Sequence, residues 1–373
     1  MKPMLRKFLK VMVYLTVGIL TLLLVVVTVW WTNSPGKADP ITDKNGKIIQ
    51  GSISTIDTLE IGGVKQYVII RGVDATKPVM LFVHGGPGGP EIGMMKETNQ
   101  LIEKDFVMVY WEQRGAGKSY SPDVPPATMT LEQFIMDAGE LSQYLAKRFK
   151  KDKIYIMGHS WGTLLGILTA HRYPELFHAY FGVGQIGNQY EGELVSFEWA
   201  KDQAQLQSDM TGMNDLANLS FPEPSENYVD LDAFNAAWDA YIGIERNYVM
   251  KYGGGAMREM KDILPLIKMI FLAGEYTLAD KFNYLKGSDF SAKYLWKEVI
   301  DTNLFNEIDS IQVPVYILQG LYDYQTPYPV AKDFYNQLKA PIKEFHTFEN
   351  SAHSPNMEEV EKFNKIVREH AKK

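Results

Sequence analysis

Four apolar runs in this chain each stop at a turn built around glycine. Pro78–His84 (PVMLFVH) runs into Gly-Gly-Pro-Gly-Gly, and Phe106–Trp111 (FVMVYW) into Glu-Gln-Arg-Gly. Lys153–Met157 (KIYIM) runs into Gly-His-Ser-Trp-Gly, and Val313–Gln319 (VPVYILQ) into Gly320. A continuous apolar run, unlike an alternating one, fits a strand buried on both faces. Strands are also expected at Ser52–Ile61, Val64–Arg71, Ala179–Val183 and Lys343–Phe348, eight in all. Helical spacing marks Thr130–Phe149, with Thr130 as N-cap and Gln133 three positions on, then Thr163–Arg172, Pro329–Leu338 and Met357–Lys372. Such alternation implies a mostly parallel sheet with helices on both faces, and ligands bound outside the carboxyl ends of its strands. A helical, aromatic and irregular stretch interrupts the pattern. The expected division is a core of residues 46–185 and 307–373 with a helical insertion at 186–306.

The front end obeys different rules. Val11–Trp31 is a run of 21 residues without a charge, long enough to cross a hydrocarbon core of about 30 Å as a helix. Four basic residues, Lys2, Arg6, Lys7 and Lys10, precede it, and Trp30 and Trp31 close it. The positive-inside rule puts residues 1–10 in the cytoplasm and everything after Trp31 outside. A signal peptide has a shorter apolar stretch and a small-residue cleavage site. An uncleaved signal anchor at 11–31, followed by a linker at 32–45, is the preferred reading, and secretion after cleavage is the alternative.

Composition removes several classes of function. The 373 residues include no cysteine, which excludes disulfides, a thiol nucleophile, Cys-ligated zinc and iron–sulfur clusters. Beyond the five basic residues that precede Asp39, the chain carries 33 basic and 45 acidic residues, a balance of −12. Such a body is a poor binder of nucleic acid, whose phosphates demand a basic surface. No metal or organic cofactor is implied, and the oligomeric state is not legible.

The chemistry gathers at the strand ends. Gly158-His159-Ser160-Trp161-Gly162 lies between a strand and a helix, the setting in which G-x-S-x-G presents a serine nucleophile on a sharp turn. The serine needs a base. His353 fits, in a loop between the last strand and the terminal helix, whereas His84 and His159 sit within motif turns where backbone shaping is the simpler role. Asp323, just after strand VPVYILQ, fits as the acid that orients the imidazole. The chain order Ser160, Asp323, His353 is that of an α/β-hydrolase triad. His84-Gly85-Gly86-Pro87-Gly88 stands where an oxyanion loop is expected, with the N–H of Gly86 (Gly85 as the alternative) and that of Trp161 as donors.

Taken together, H-G-G-P-G, then W-E-Q-R-G-A-G-K-S at Trp111–Ser119, then G-H-S-W-G resemble the prolyl aminopeptidase (proline iminopeptidase) group of α/β-hydrolases, peptidase family S33. The group's D-Q-R-G-x-G-x-S motif has Glu112 in its first position here. The resemblance covers roughly residues 64–200 and 313–372. It implies Ser160 as nucleophile, Asp323 and His353 as its partners, and the insertion as a cap over the site. In prolyl aminopeptidases, cap glutamates bind the free amine of the substrate. Glu245, or Glu191 and Glu193, could do so here, with Gly85 also near the substrate. The expected substrate is a small peptide with N-terminal proline or another apolar residue. An ester, lactone or amide substrate remains open because fold and triad do not fix it, and a non-catalytic ligand-binding relative is the third possibility.

Overall fold

A computed structural model describes residues 2–98, 100–262 and 264–370. Eight strands form one sheet: β1 (Ile53–Ile61), β2 (Val64–Gly72), β3 (Val79–Val83), β4 (Val107–Glu112), β5 (Ile154–His159), β6 (Phe177–Val183), β7 (Val315–Gly320) and β8 (Lys343–Phe348). Their order is β1-β2-β4-β3-β5-β6-β7-β8. The first two pairings, β1 with β2 and β2 with β4, are antiparallel, and the rest are parallel.

The apolar runs are continuous because each strand feeds two cores. Val79, Leu81 and Val83 face one cluster while Met80 and Phe82 face the other. Val107, Val109 and Trp111 alternate with Met108 and Tyr110 in the same way, and Val315 and Ile317 with Tyr316 and Leu318. The period-2 geometry of a strand makes this inevitable once helices cover both faces. Helix Leu131–Phe149 begins as its sequence requires, with the Thr130 hydroxyl accepting the Gln133 N–H at 3.2 Å, and ends at Lys150 in the left-handed region.

Between β6 and β7 the described residues contain helices and no strand of the sheet, with their own aromatic core of Phe197, Phe234, Trp238 and Tyr241. A long helix, Lys2–Thr32, precedes the body. Within it, Leu5–Thr32 is long and apolar enough to cross a membrane and none of its most apolar window is buried against the protein.

Two local features depart from expectation. A short helix, Ile92–Thr98, follows the glycine turn after β3, where no periodicity announced one. The terminal helix is two pieces, Pro355–Glu358 and Val360–His370, and positions 371–373 lie outside the described residues. The break has a cause. The Glu359 carboxylate turns back to accept from the Asn350 N–H and the Ser351 hydroxyl, and Glu358 accepts from the Ala352 N–H. Both glutamates thus hold the loop that carries His353.

Close backbone approach explains the glycines around the β5 turn. A Cβ on Gly162 would lie 2.0 Å from the Val83 carbonyl oxygen, and one on Gly158 would lie 2.1 Å from that of Gly162. Neither contact can relax by rotating a side chain. Gly162→Ala is expected to lower unfolding free energy by at least about 3 kcal/mol in urea titration. Gly243→Ala, where a Cβ meets nothing within 4 Å on a helix, should raise it by about 0.5–1 kcal/mol. Equal effects at the two positions would refute the packing argument.

Candidate active site

Ser160 sits between β5 and helix Trp161–Arg172 with φ 54° and ψ −124°. That combination lies outside the ordinary left-handed basin and is strained for any residue with a Cβ. The Ser160 N–H is held by the Val183 carbonyl at 2.9 Å, and its carbonyl accepts the Thr163 N–H at 2.7 Å. The elbow is therefore clamped from both sides, and the serine lines a cavity of about 170 Å³. Gly86, Trp161, Ile186, Ile242 and Arg246 share those walls.

The glycine loop after β3 separates its two candidate donors. The Gly85 N–H is already engaged, donating to Glu91 Oε1 at 2.7 Å. Gly85 is thus removed as an oxyanion donor. Gly86 has φ +117°, and a Cβ there would lie 2.6 Å from the Gly88 nitrogen. Its N–H and that of Trp161, the first residue of its helix, donate to no acceptor among the described residues.

Asp323 and His353 meet as expected. His353 Nδ1 lies 2.9 Å from Asp323 Oδ2, and both side chains are buried. Asp323 Oδ1 accepts the N–H groups of Gln325 and Thr326, each at 2.9 Å, while Oδ2 also accepts from Gln319 and the Thr326 hydroxyl. A carboxylate held so fully can only present one face to the imidazole. The His353 ring packs against Gly184 and lies 4.9 Å from the His159 ring, between centroids. The serine adjoins His159 in sequence and bonds Val183, the residue before Gly184. The imidazole is therefore bracketed next to the elbow, although no Ser160–His353 hydrogen bond is formed in this state. Catalytic hydrogen bonds are often open without substrate.

His159 does more than shape a turn. Its Nδ1 is 2.8 Å from Glu91 Oε1 and its Nε2 is 3.2 Å from the His353 carbonyl oxygen. With Glu91 ionised both partners only accept, an arrangement that calls for donation from both ring nitrogens, as in the protonated imidazole. Burial opposes that charge, but Glu91 outweighs it and raises the His159 pKa, while His159 in turn depresses Glu91 against the same burial. The buried pair links the glycine loop after β3, through the Gly85 N–H, to the backbone of His353. His84 is the opposite case. Its Nε2 accepts the Gln113 N–H at 3.3 Å, leaving Nδ1–H for the Gly85 carbonyl, and burial pushes its pKa down to about 4.

The residues of W-E-Q-R-G-A-G-K-S act as braces. Gln113 joins the His84 carbonyl to the Trp161 indole N–H. Arg114 is wholly buried against Asp137. Glu112 accepts from the Tyr276 hydroxyl and the Lys118 N–H, and burial pushes its pKa up to about 7.

The insertion's glutamates divide. Glu191 is exposed in the first turn of its helix and lines no part of the cavity, which removes it from the substrate site. Glu193 and Glu245 are both buried, and both bind the Arg246 guanidinium. Burial pushes Glu245 up to about 7. Glu193 Oε2 is sealed from solvent with no hydrogen-bond partner among the described residues. Arg246, adjacent to Glu245 in sequence, is a charged cavity-wall residue that the sequence did not single out.

The α/β hydrolase fold family model matches residues 78–223. The probable aminopeptidase YbaC of Bacillus subtilis (strain 168) is 33% identical over 325 residues, covering 86% of this chain and 97% of the relative. The chain belongs to the proline iminopeptidase group of the α/β-hydrolases. The proline iminopeptidase of Lactobacillus helveticus (strain DPC 4571) is 23% identical over 316 residues, 82% of this hydrolase and 94% of the relative. Among solved structures, the proline iminopeptidase of Mycobacterium smegmatis superposes with a TM-score of 0.58 at 17% identity, over 85% of this hydrolase and 97% of that chain. That last likeness concerns the fold.

Proposed function

We propose that this hydrolase is a membrane-anchored serine aminopeptidase that releases N-terminal proline or another apolar residue from small peptides outside the cytoplasm. The observation that carries the reading is the strained Ser160, held at the wall of a cavity beside two unengaged amides and a buried Asp323–His353 pair. In the proposed reaction His353 takes the Ser160 proton as the oxygen attacks the scissile carbonyl. The Gly86 and Trp161 N–H groups hold the oxyanion. His353 then protonates the leaving amine, and water hydrolyses the acyl-enzyme with the same base.

The insertion, residues 186–306, acts in this reading as a cap that limits what enters. The cavity at Ser160, about 170 Å³, is smaller than the ~300–1,000 Å³ of common small-molecule sites and suits a single residue. Behind its wall two buried carboxylates, Glu193 and Glu245, hold the Arg246 guanidinium, and neither lines the cavity. Arg246 in the same wall favours a second reading, hydrolysis of an ester, lactone or amide that carries its own carboxylate.

Labelling by a fluorophosphonate probe tests the serine chemistry, and no labelling would end both readings. A panel of aminoacyl-arylamides against short-chain esters then separates them. Arylamide turnover is expected, greatest for prolyl or apolar residues, and ester turnover alone would remove the peptidase. The basic residues before Val11 and the tryptophans at 30 and 31 support anchoring with the N-terminus inside. Sequencing the N-terminus of the mature protein should return the intact helix. A start after residue 32 would mean secretion.

A further inference from the structure

The N-terminal helix does not end in free space. The Trp30 ring lies 5.9 Å from that of Phe271, between centroids. Lys281, buried, donates to the Asn33 carbonyl at 2.9 Å and the Ser34 hydroxyl at 2.6 Å. The Lys37 N–H bonds the Gly274 carbonyl at 3.1 Å. The helix exit is thus fastened to one part of the insertion.

That part is unusual for a protein surface. Helix Leu264–Leu272 (LPLIKMIFL) holds one charge and buries none of its residues fully. Its inner side rests on helix Ile92–Thr98, where the Met269 carbonyl and Ile270 approach Gly93. Leu264, Ile267, Met269 and Leu272 point away, with Leu264 68% exposed. The first two turns of the next helix, Leu278–Asp301, add Phe282 at 56% and Leu285 at 50%. Six large apolar side chains are therefore exposed on the two helices to which the end of the apolar helix is fastened. Contiguous apolar patches on soluble proteins mark a binding face, and here the adjoining segment is itself built for lipid.

We infer that this patch rests in the headgroup–acyl boundary of the same phospholipid bilayer that the N-terminal helix enters. The inference depends on reading that helix as membrane-spanning. Interfacial helices bury an apolar face about 5–10 Å into this zone, and the exposed Lys268 on the same helix supplies a basic group for the headgroups. Helix Leu278–Asp301 then runs from the patch to the catalytic cavity, where Trp296 and Val299 form part of the wall. From Lys281 to Trp296 is about 22 Å at 1.5 Å per residue. The cavity is held at that distance along the helix from the lipid-facing patch.

The absence of cysteine makes the test direct. Full-length protein carrying Ile267→Cys or Phe282→Cys, each labelled with an environment-sensitive fluorophore, is reconstituted into phosphatidylcholine vesicles with and without lipids spin-labelled near the headgroup. Tyr14→Cys reports the N-terminal helix through acyl-chain spin labels, and Val229→Cys is an exposed position of the insertion outside the patch. Blue-shifted emission and quenching at 267 and 282, exceeding those at 229, are expected. Quenching at 14 with none at 267 and 282 would overturn the inference while leaving the anchor intact. No quenching at 14 would overturn the anchor and the inference with it. A blue shift at 267 and 282 without quenching, which disappears as protein is diluted in lipid, would assign the patch to a second copy of the chain and overturn it too.

Discussion

Replacing Ser160 by alanine should lower kcat by roughly 10⁴- to 10⁶-fold while the fold survives. The residual rate should still exceed that of water, because the Gly86 and Trp161 amides and the cavity remain. Stability should hardly change, since the Ser160 side chain donates no hydrogen bond among the described residues and alanine inherits the same backbone strain. Ser160→Gly separates the two effects. It should be as inactive as the alanine variant yet more stable by about 1–3 kcal/mol, the strain that φ 54° and ψ −124° impose on a residue with a Cβ. Single-turnover kinetics and urea titration of the three proteins check this. An alanine variant within tenfold of wild type would remove Ser160 as the nucleophile, and a glycine variant no more stable than the alanine one would remove the strain.

The second large effect is expected at Glu91, three residues beyond the H-G-G-P-G motif and outside it. Glu91→Gln keeps an acceptor for the Gly85 N–H but takes away the charge that sustains the protonated His159. Breaking one member of a buried pair destabilises by about 3–5 kcal/mol, and the amide's retained hydrogen bond puts this variant near 3 kcal/mol. The effect should depend on pH in a defined way. The folded pKa of His159 is raised above its free value of 6.5, so its contribution is complete below about 6.5 and is lost as pH rises through the folded value. The folded pKa of Glu91 is depressed below 4.5, so its contribution is complete above about 4.5 and is lost as pH falls through the folded value. The gap between wild type and variant should be widest between about pH 4.5 and 6.5 and should narrow on the alkaline side. A gap that stays constant from pH 5 to 9 would mean that His159 is neutral. Activity should fall as well, because His159 holds the carbonyl of the residue proposed as base.

Legibility followed the physics of each feature. Strands β3, β4, β5 and β7 could be read because two-sided burial leaves an unbroken apolar word, and their glycine endings showed where the chain must turn. The three positions proposed as a triad could be singled out because each follows a strand end, and the structure brings Asp323 and His353 together. Glu91, by contrast, is one carboxylate after a proline in an aperiodic loop, and its partner is 68 residues away, so nothing local signals the pair. The choice between Gly85 and Gly86 needed the same partner, since only coordinates reveal which amide is already engaged. Glu191 misled because its position after β6 is right for a substrate contact, yet helical phase turns it outward. Glu245 and Arg246 are neighbours in sequence, a pairing that could have warned that the glutamate was not free. The Leu264–Leu272 patch escaped because an apolar helix at low resolution of reading resembles a core element.

The chamber at Ser160 shares Gly86, Ile242 and Trp296 with a second, larger recess of about 630 Å³, lined also by Asp232, Asp239 and Asp289 against one cation, Lys293. A partition common to two rooms imposes an order of traffic. In the proposed reaction the released fragment stands in the outer room, on the approach the hydrolytic water would use, while the acyl residue fills the inner one. Departure of the first product then becomes a gate on formation of the second, and the acidic lining makes that gate sensitive to the charge of the peptide leaving through it.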